Sequence, residues 1–541
     1  EATTGDIYID GTFTTAIGTA GQTTTLTSGT ATVIGATSDT TVSAGNQIVL
    51  GSDLTFGASG RTTTVEAVNS ATFDIDANDV IDAGGNVVTH TASSVTNYTI
   101  GDASSALADG ATINFIENAT GSDLDGDLAA GTAVLLDTAL VDLVDNASDN
   151  DTLSATVDIL DATTVIGSEF DGAAEALLGD TTVTGALLAE RGDLMAAATS
   201  TAARSIAEGL SPTVDGSVQS GVVSTVTNSA LGITGERLAA LRHGDETGMA
   251  AGNMTHGLKT WGQVFGATGE QDARDGVSGY DVDTWGVSVG IDTQTLAEDW
   301  VWGLAFTYAN TDTDSANSTN TQVDLDTYQI ALYGDYKWDA ATYVNGQIGY
   351  AMNNGDQTRT IAADAGGTTT ASADTDSDVF FVRLETGRDF DMDNGWTLTP
   401  IALLNYQHIN SDGYTESCAA ASTACLSGVD VDNMNILEAG LGGEASYLHQ
   451  NADGSFLKPR LHAAYRYDFI GDEVETTSSF SGQAGTTFTT QGFDAQQSTF
   501  NVGAGLEFFT TANWELSVNY DYEIKEDYDA HNGYVRAAYK F

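Results

Sequence analysis

From about residue 257 to the end of the chain, apolar and polar side chains alternate with a period of two. Trp302, Leu304, Phe306 and Tyr308 share one face of an extended segment, and Gly303, Ala305 and Thr307 share the other. Tyr328, Ile330 and Leu332 alternate in the same way with Gln329, Ala331 and Tyr333, and Trp514, Leu516, Val518, Tyr520 and Tyr522 with Glu515, Ser517, Asn519, Asp521 and Glu523. Successive side chains of a strand point to opposite sides, so each run predicts a strand with one greasy and one wet face. Twelve runs follow this pattern, at about 257–269, 280–293, 299–312, 320–337, 340–355, 375–389, 395–411, 428–448, 455–472, 493–510, 513–525 and 529–541.

A soluble sandwich would hide such faces in a core, but three features point to a closed barrel in lipid. An even number of long strands closes without an edge whose backbone groups would go unpaired in hydrocarbon. Short connections near Leu296, Asp339, Met392, Ala452 and Thr511 alternate with mostly long ones, notably 356–374, 412–427 and 473–492. Short turns on one side and long loops on the other is the sidedness of an outer-membrane barrel. Trp300, Trp338, Trp396, Phe456 and Trp514 each lie beside a short turn, where an amphipathic ring suits the headgroup layer. No apolar run reaches the ~20 residues of a spanning helix, so any crossing is made by strands.

The rest of the chain reads differently. Residues 1–183 are rich in Thr, Ala, Gly and Asp, with Arg61 the only basic side chain, and carry short β-branched runs between Gly, Asn and Asp turns. With little aromatic content, this predicts a right-handed parallel β-solenoid rather than a sandwich. At roughly 20 residues per coil and about 4.8 Å per coil, eight or nine coils would make a stub on the order of 40 Å long. Residues 184–256 read as helical, from Ala186 to Glu208, then, beyond Pro212 and Gly216, from Asn228 to Arg242 with a break at Gly244. The domain division is therefore 1–183, 184–256 and 257–541.

A formal net charge of −59 excludes nucleic acid as a partner, because phosphate binding needs clustered Lys and Arg. Cys418 and Cys425, the only cysteines, stand close together in a polar stretch. They read as a local disulfide in an oxidising compartment; the other reading is a pair of free or metal-binding thiols.

The residues from about 228 onward resemble the translocator domain of classical monomeric autotransporters, the type V secretion family. The resemblance rests on Leu231-Gly-Ile-Thr-Gly-Glu-Arg-Leu-Ala-Ala-Leu-Arg242, Trp261-Gly-Gln-Val-Phe-Gly266, the run from Gly279 to Asp292, and the final Tyr539-Lys-Phe541. It implies a Gram-negative outer-membrane location, an extracellular N-terminal passenger, a periplasmic C-terminus and a leader removed before Glu1. Val535, Tyr539 and Phe541 resemble the signal such barrels present to the barrel-assembly machinery. The resemblance also implies a helix in the lumen, whose Arg237 and Arg242 would meet inward carboxylates among Glu385, Glu438, Glu444, Glu507 and Glu515. Arg383, Lys458, Arg460, Arg466 and Arg536 also fall on inward positions, making a mixed-charge lining.

The passenger offers little for catalysis. It has no Gly-x-Ser-x-Gly elbow, no cysteine and one histidine, His90, in a strand-like Val88-Thr-His-Thr. We therefore expect no enzyme, but a binding or structural surface protein whose partners are lipid and a surface ligand or neighbouring copies. A surface esterase or protease, or a conducting barrel, are the alternatives. No cofactor is implied; Ca²⁺ is the one ion that Asp74, Asp76, Asp79 and Asp82, or Asp123, Asp125 and Asp127, would suit, although neither group has the spacing of a known loop.

Overall fold

Alternation along the second half does build one closed cylinder. In the computed structural model, which describes the chain apart from residues 1–6, 10–11, 14–23, 27–31, 35–38, 45–46, 51, 57–59, 68–79, 102–106, 213–217, 247–258, 275–276, 294–298, 393–394, 494–495, 511–513 and 541, the strands β1 (Lys259–Gln271), β2 (Tyr280–Thr293), β3 (Trp300–Ser315), β4 (Gln322–Lys337), β5 (Thr342–Ala362) and β6 (Ser377–Arg388) are followed by β7 (Trp396–Ser411), β8 (Met434–Tyr447), β9 (Phe456–Asp468), β10 (Ser498–Phe509), β11 (Trp514–Lys525) and β12 (Tyr528–Lys540). Each pairs antiparallel with the next, and β1 pairs with β12 from Lys259 opposite Lys540 to Gln271 opposite Tyr528. The fold is thus a twelve-stranded antiparallel barrel with no open edge.

Burial follows the alternation. Leu304, Phe306, Ile330, Leu332, Leu516 and Val518 stand exposed on the outer wall, while Thr307, Gln329, Gln347, Arg460 and Arg536 are buried inside. Two expected boundaries move. The segment 356–374 is not an open loop, because β5 runs on to Ala362 and Thr368–Asp374 folds back on it; its β-branched Thr side chains favour extended backbone. Residues Leu426–Val431 leave the barrel to pair with Glu475–Phe480, which in turn pairs with Phe488–Gln491, so β8 begins only at Met434.

The lumen is filled by one helix, labelled α4 below (Gln219–Glu246), roughly 42 Å long at 1.5 Å per residue. It begins nine residues before the expected Asn228 and passes Gly244 without a break. Val222, Val223 and Val226, poor helix formers by propensity, are buried against the wall, and that packing outweighs propensity.

Before the barrel, strands stack in parallel on three faces. Ile7–Ile9, Thr32–Ile34, Leu54–Phe56 and Val88–His90 form one face. Thr12–Phe13, Thr40–Ala44, Thr62–Ala67, Val95–Ile100 and Ala133–Leu135 form the second. Thr24–Leu26, Ile48–Leu50, Ile81–Asp82 and Thr112–Glu117 form the third, which is finished by antiparallel Leu153–Ile159 and Val141–Asp145. Among the described residues each face carries four or five parallel strands rather than eight or nine. Successive coils advance by 25, 22 and 34 residues, and beyond Ala133–Leu135 the chain goes into the antiparallel cap and helices instead of further coils. Phe56, Tyr98 and Phe115 are buried on the axis, edge to face or tilted, with centroids 5.5–6.2 Å apart.

After the short helix Ala162–Ile166, three longer helices join solenoid and barrel: α1 (Asp171–Leu178), α2 (Ala186–Ala196) and α3 (Ser200–Leu210). The expected single helix from 186 to 208 is split because the Thr199 hydroxyl accepts from Ala202 N at 3.2 Å and caps α3. Arg191 on α2 is fully buried, its guanidinium donating to the carbonyls of Leu107, Leu177 and Leu178. Ala173, Leu177, Leu187 and Leu210 share a core with Ile361, Leu426, Phe480 and Phe488 of the barrel's long loops.

Candidate functional site in the barrel lumen

The α4 helix crosses the lumen from the long-loop rim to the short-turn rim. At its start, Gln219 Nε2 donates to the Thr375 carbonyl at 2.7 Å; near its end, Arg242 reaches Asp335 at 2.6 Å, close to the turn between β4 and β5. Leu231, Ile233, Leu238 and Leu241 form an apolar side against Trp261, Phe265, Ala305, Leu325, Ala331 and Phe381. That seat depends on missing side chains on β2: a Cβ at Gly290 would lie 2.5 Å from the Trp261 ring and one at Gly286 would lie 2.2 Å from Phe265. Trp261 Nε1 in turn donates to the Tyr333 hydroxyl at 2.7 Å.

Ion pairs fix the helix at its lower half. Arg237 is 0 % exposed; its Nε and Nη2 donate to the two Asp292 oxygens at 2.8 and 3.1 Å, and Nη1 reaches Glu515 at 3.1 Å. Arg242 also lies over the Tyr343 ring, 3.6 Å from its centroid. A planar guanidinium suits both bidentate pairing and stacking, which a lysine could not reproduce. Glu236, from the same helix, pairs with Arg460 of β9. Higher up, Asn228 Oδ1 accepts from Asn405 at 3.0 Å and Gln407 at 2.8 Å, and Thr234 donates to Gln347.

The remaining inward charges stand opposite one another in pairs of opposite sign. Arg536 pairs with Glu515 at 2.9 Å and stands 3.9 Å from Glu507; Arg460 reaches Glu444 at 3.2 Å; Arg466 reaches Glu523 at 2.6 Å and lies 3.8 Å from Glu438. Arg383 lies 3.7 Å from Glu385, and Lys458 is buried among them. Of the five glutamates expected to meet the helix arginines, only Glu515 does so. Asp292 and Asp335 take the main role, and Tyr333, Trp261 and Glu236 complete the seat. Strict alternation from the outward Ile291 and Leu332 would have placed both aspartates inward. Between the helix at Ser229, Gly232 and Gly235 and the wall at Arg383, Glu385, Arg460 and His462 a polar cavity of about 190 Å³ is left.

The other expected site residues separate. Trp300, Trp338, Trp396 and Trp514 are exposed and Phe456 half-buried at the short-turn rim, with Trp300 4.5 Å from Tyr336 and Trp514 5.0 Å from Tyr539. Trp285 and Tyr308 begin a second belt towards the long loops. Val535 faces outward at 53 % exposure; Phe541 lies outside the described residues. Cys418 and Cys425 form a disulfide in a long loop.

In the passenger, Asp74, Asp76 and Asp79 lie outside the described residues, and Asp82 accepts from Gly84 N and Asn118 Nδ2. Asp123 precedes the short helix Leu124–Ala130, which contains Asp125 and Asp127. Asp127 is turned to His90, whose Nδ1 lies 2.8 Å from Oδ2. Among the described residues no three His, Cys, Asp or Glu groups sit together so as to hold a metal ion. His90 is buried, stacked on Phe56, with Nε2 2.8 Å from the Tyr98 hydroxyl. Burial pushes the Tyr98 phenol well above its ordinary pKa, so it stays a neutral hydroxyl.

The family model described as "Autotransporter beta-domain" matches residues 260–521. Residues 260–521 are an autotransporter β-domain. The chain carries an outer-membrane autotransporter β-domain and is similar to outer membrane protein B of Rickettsia conorii at 24 % identity over 309 residues, 56 % of this chain and 18 % of that protein. Outer membrane protein A of Rickettsia rickettsii is 26 % identical over 335 residues, 60 % of this chain and 14 % of that protein. The chain thus spans less than a fifth of the length of either relative. The translocator domain of autotransporter NalP from Neisseria meningitidis superposes with a TM-score of 0.44 at 16 % identity, covering 59 % of this chain and 99 % of that one.

Proposed function

We propose that this autotransporter barrel anchors the chain and displays its N-terminal solenoid at the cell surface, with the long loops outside and the C-terminus in the periplasm. The observation that carries the reading is the direction of α4: its start joins the solenoid and linking helices at the long-loop rim, and its end leads back to β1 at the short-turn rim. A chain threaded this way leaves its passenger on one side and its barrel termini on the other. The outward Val535 and Tyr539 suit recognition by the barrel-assembly machinery during insertion.

The displayed solenoid acts in adhesion or as a structural coat, by binding a surface ligand or neighbouring copies rather than by catalysis. Its histidine supports this reading, since both ring nitrogens are engaged and the ring is buried. Deleting residues 1–183 should alter attachment or the packing of the cell surface while the barrel stays inserted. An inserted barrel with neither phenotype would refute the adhesive and structural role.

A further inference from the structure

The base of the passenger is gripped by five separate long-loop segments of the barrel. The Asp364 carboxylate accepts from the N–H groups of Ala186 and Thr423, each at 2.8 Å, and so caps α2 from the barrel side. The Thr423 hydroxyl donates to the Thr184 carbonyl at 2.8 Å and accepts from Leu187 N at 3.1 Å. Gln483 Nε2 donates to the Ala176 carbonyl at 3.2 Å and to Asp180 at 2.9 Å. Arg359, held against Glu416, donates from Nη1 to the Gly209 carbonyl at 2.9 Å. Ser278 N donates to Glu208 Oε1 at 2.9 Å, and the Ser318 hydroxyl to the Ser205 carbonyl at 3.2 Å. Beneath these polar contacts Leu177, Leu187 and Leu210 are buried against Leu426, Phe480 and Phe488.

Every one of these contacts lies before Ser211 on the passenger side, and none is covalent. The helix that threads the barrel starts only at Gln219. The grip on the passenger and the thread through the lumen are therefore independent attachments. From this arrangement we infer that residues 171–211 and the long loops form a latch, which keeps the passenger on the barrel after the chain is cut between residues 211 and 219. The apolar seat supplies most of the holding power and the hydrogen bonds its register, because exchanging water partners for protein partners gives each neutral bond a modest net gain.

The inference rests on the display reading, and its test separates the two. A site-specific protease sequence is inserted between Pro212 and Val218 in the full-length protein, membranes are treated with the protease, and passenger is measured in pellet and supernatant. The cut passenger should remain in the pellet. Leu187→Asp, which buries a charge in the seat, should raise the released fraction by about tenfold or more; Asp364→Asn, at an exposed carboxylate, should raise it less and leave folding intact. Heat-modifiable migration of each variant checks the barrel, and labelling of uncut passenger on intact cells reports display. Passenger labelled before cutting but wholly in the supernatant afterwards overturns the latch alone, and retention unmoved by both substitutions places the attachment elsewhere and overturns it too.

Discussion

Arg237 offers the sharpest quantitative test of the plugged lumen. Its guanidinium is fully buried, makes a bidentate pair with Asp292, itself 1 % exposed, and a further contact with Glu515. Removing one partner of a buried pair strands the other charge and costs about 3–5 kcal/mol. Reversal by Arg237→Glu adds repulsion from two carboxylates. At 1.4 kcal/mol per tenfold, the seating equilibrium of α4 should fall by roughly two to three and a half powers of ten. A nitroxide on the lower half of α4 and a second on the β2 wall would read this as a broadened distance distribution in reconstituted barrels. Protease access to residues 219–246 reads the same change. The double variant Arg237→Glu with Asp292→Arg should recover much of the seating. An unchanged distance distribution in Arg237→Glu would refute the claim that these pairs hold the helix.

Other consequences follow from the same geometry. Hydrogen bonds from Ala186 and Thr423 N–H hold the Asp364 carboxyl below its ordinary range, and those from Gln483 and Thr182 do the same for Asp180. A depressed folded pKa stabilises docking above the unfolded value of about 4 and is lost as pH falls through the folded value, so cut passenger should stay on membranes at pH 5–7 and begin to leave below about pH 4. Gly290→Val should push against Trp261 and cost about 1–3 kcal/mol, read as a lower temperature for the heat-modified gel shift. His90→Leu leaves Asp127 and Tyr98 without their shared partner; about 1–3 kcal/mol of local stability should vanish, seen as faster amide exchange in residues 88–100 while exchange in the barrel strands is unchanged. Cys418→Ser with Cys425→Ser frees an eight-residue loop and should cost that loop about 2.5 kcal/mol, measured as earlier proteolysis between β7 and β8.

The barrel was legible because lipid and lumen impose opposite demands on alternate residues. The run 280–293 coincides with β2 to the residue, and the other strands fall near their expected places. What moved were the ends: at the long-loop rim, extended segments pair with whichever strand is at hand, so Thr368–Asp374 and Leu426–Val431 keep the alternation but not the expected place in the wall. The start of α4 was hidden because Val222, Val223 and Val226 carry no helical preference, and only the enclosing wall decides their conformation. Pairing partners were half legible. Side of the wall follows from alternation, but height along the axis does not, so Glu515 could be placed beside Arg237 only together with Glu385, Glu438, Glu444 and Glu507, which meet wall arginines instead. The solenoid's coil number failed for a plainer reason: with coils of 22 to 34 residues, no fixed period exists to count.

The central claim is that one chain places its solenoid outside the cell and the barrel's short turns inside. Single cysteines at the exposed positions Asn150 in the passenger and Ala452 in the turn before β9 test it with one membrane-impermeant maleimide, in a background where Cys418 and Cys425 remain bonded to each other. Asn150→Cys should label on intact cells, and Ala452→Cys only after the outer membrane is opened. Labelling of Ala452→Cys on intact cells, with Asn150→Cys protected, would contradict the account.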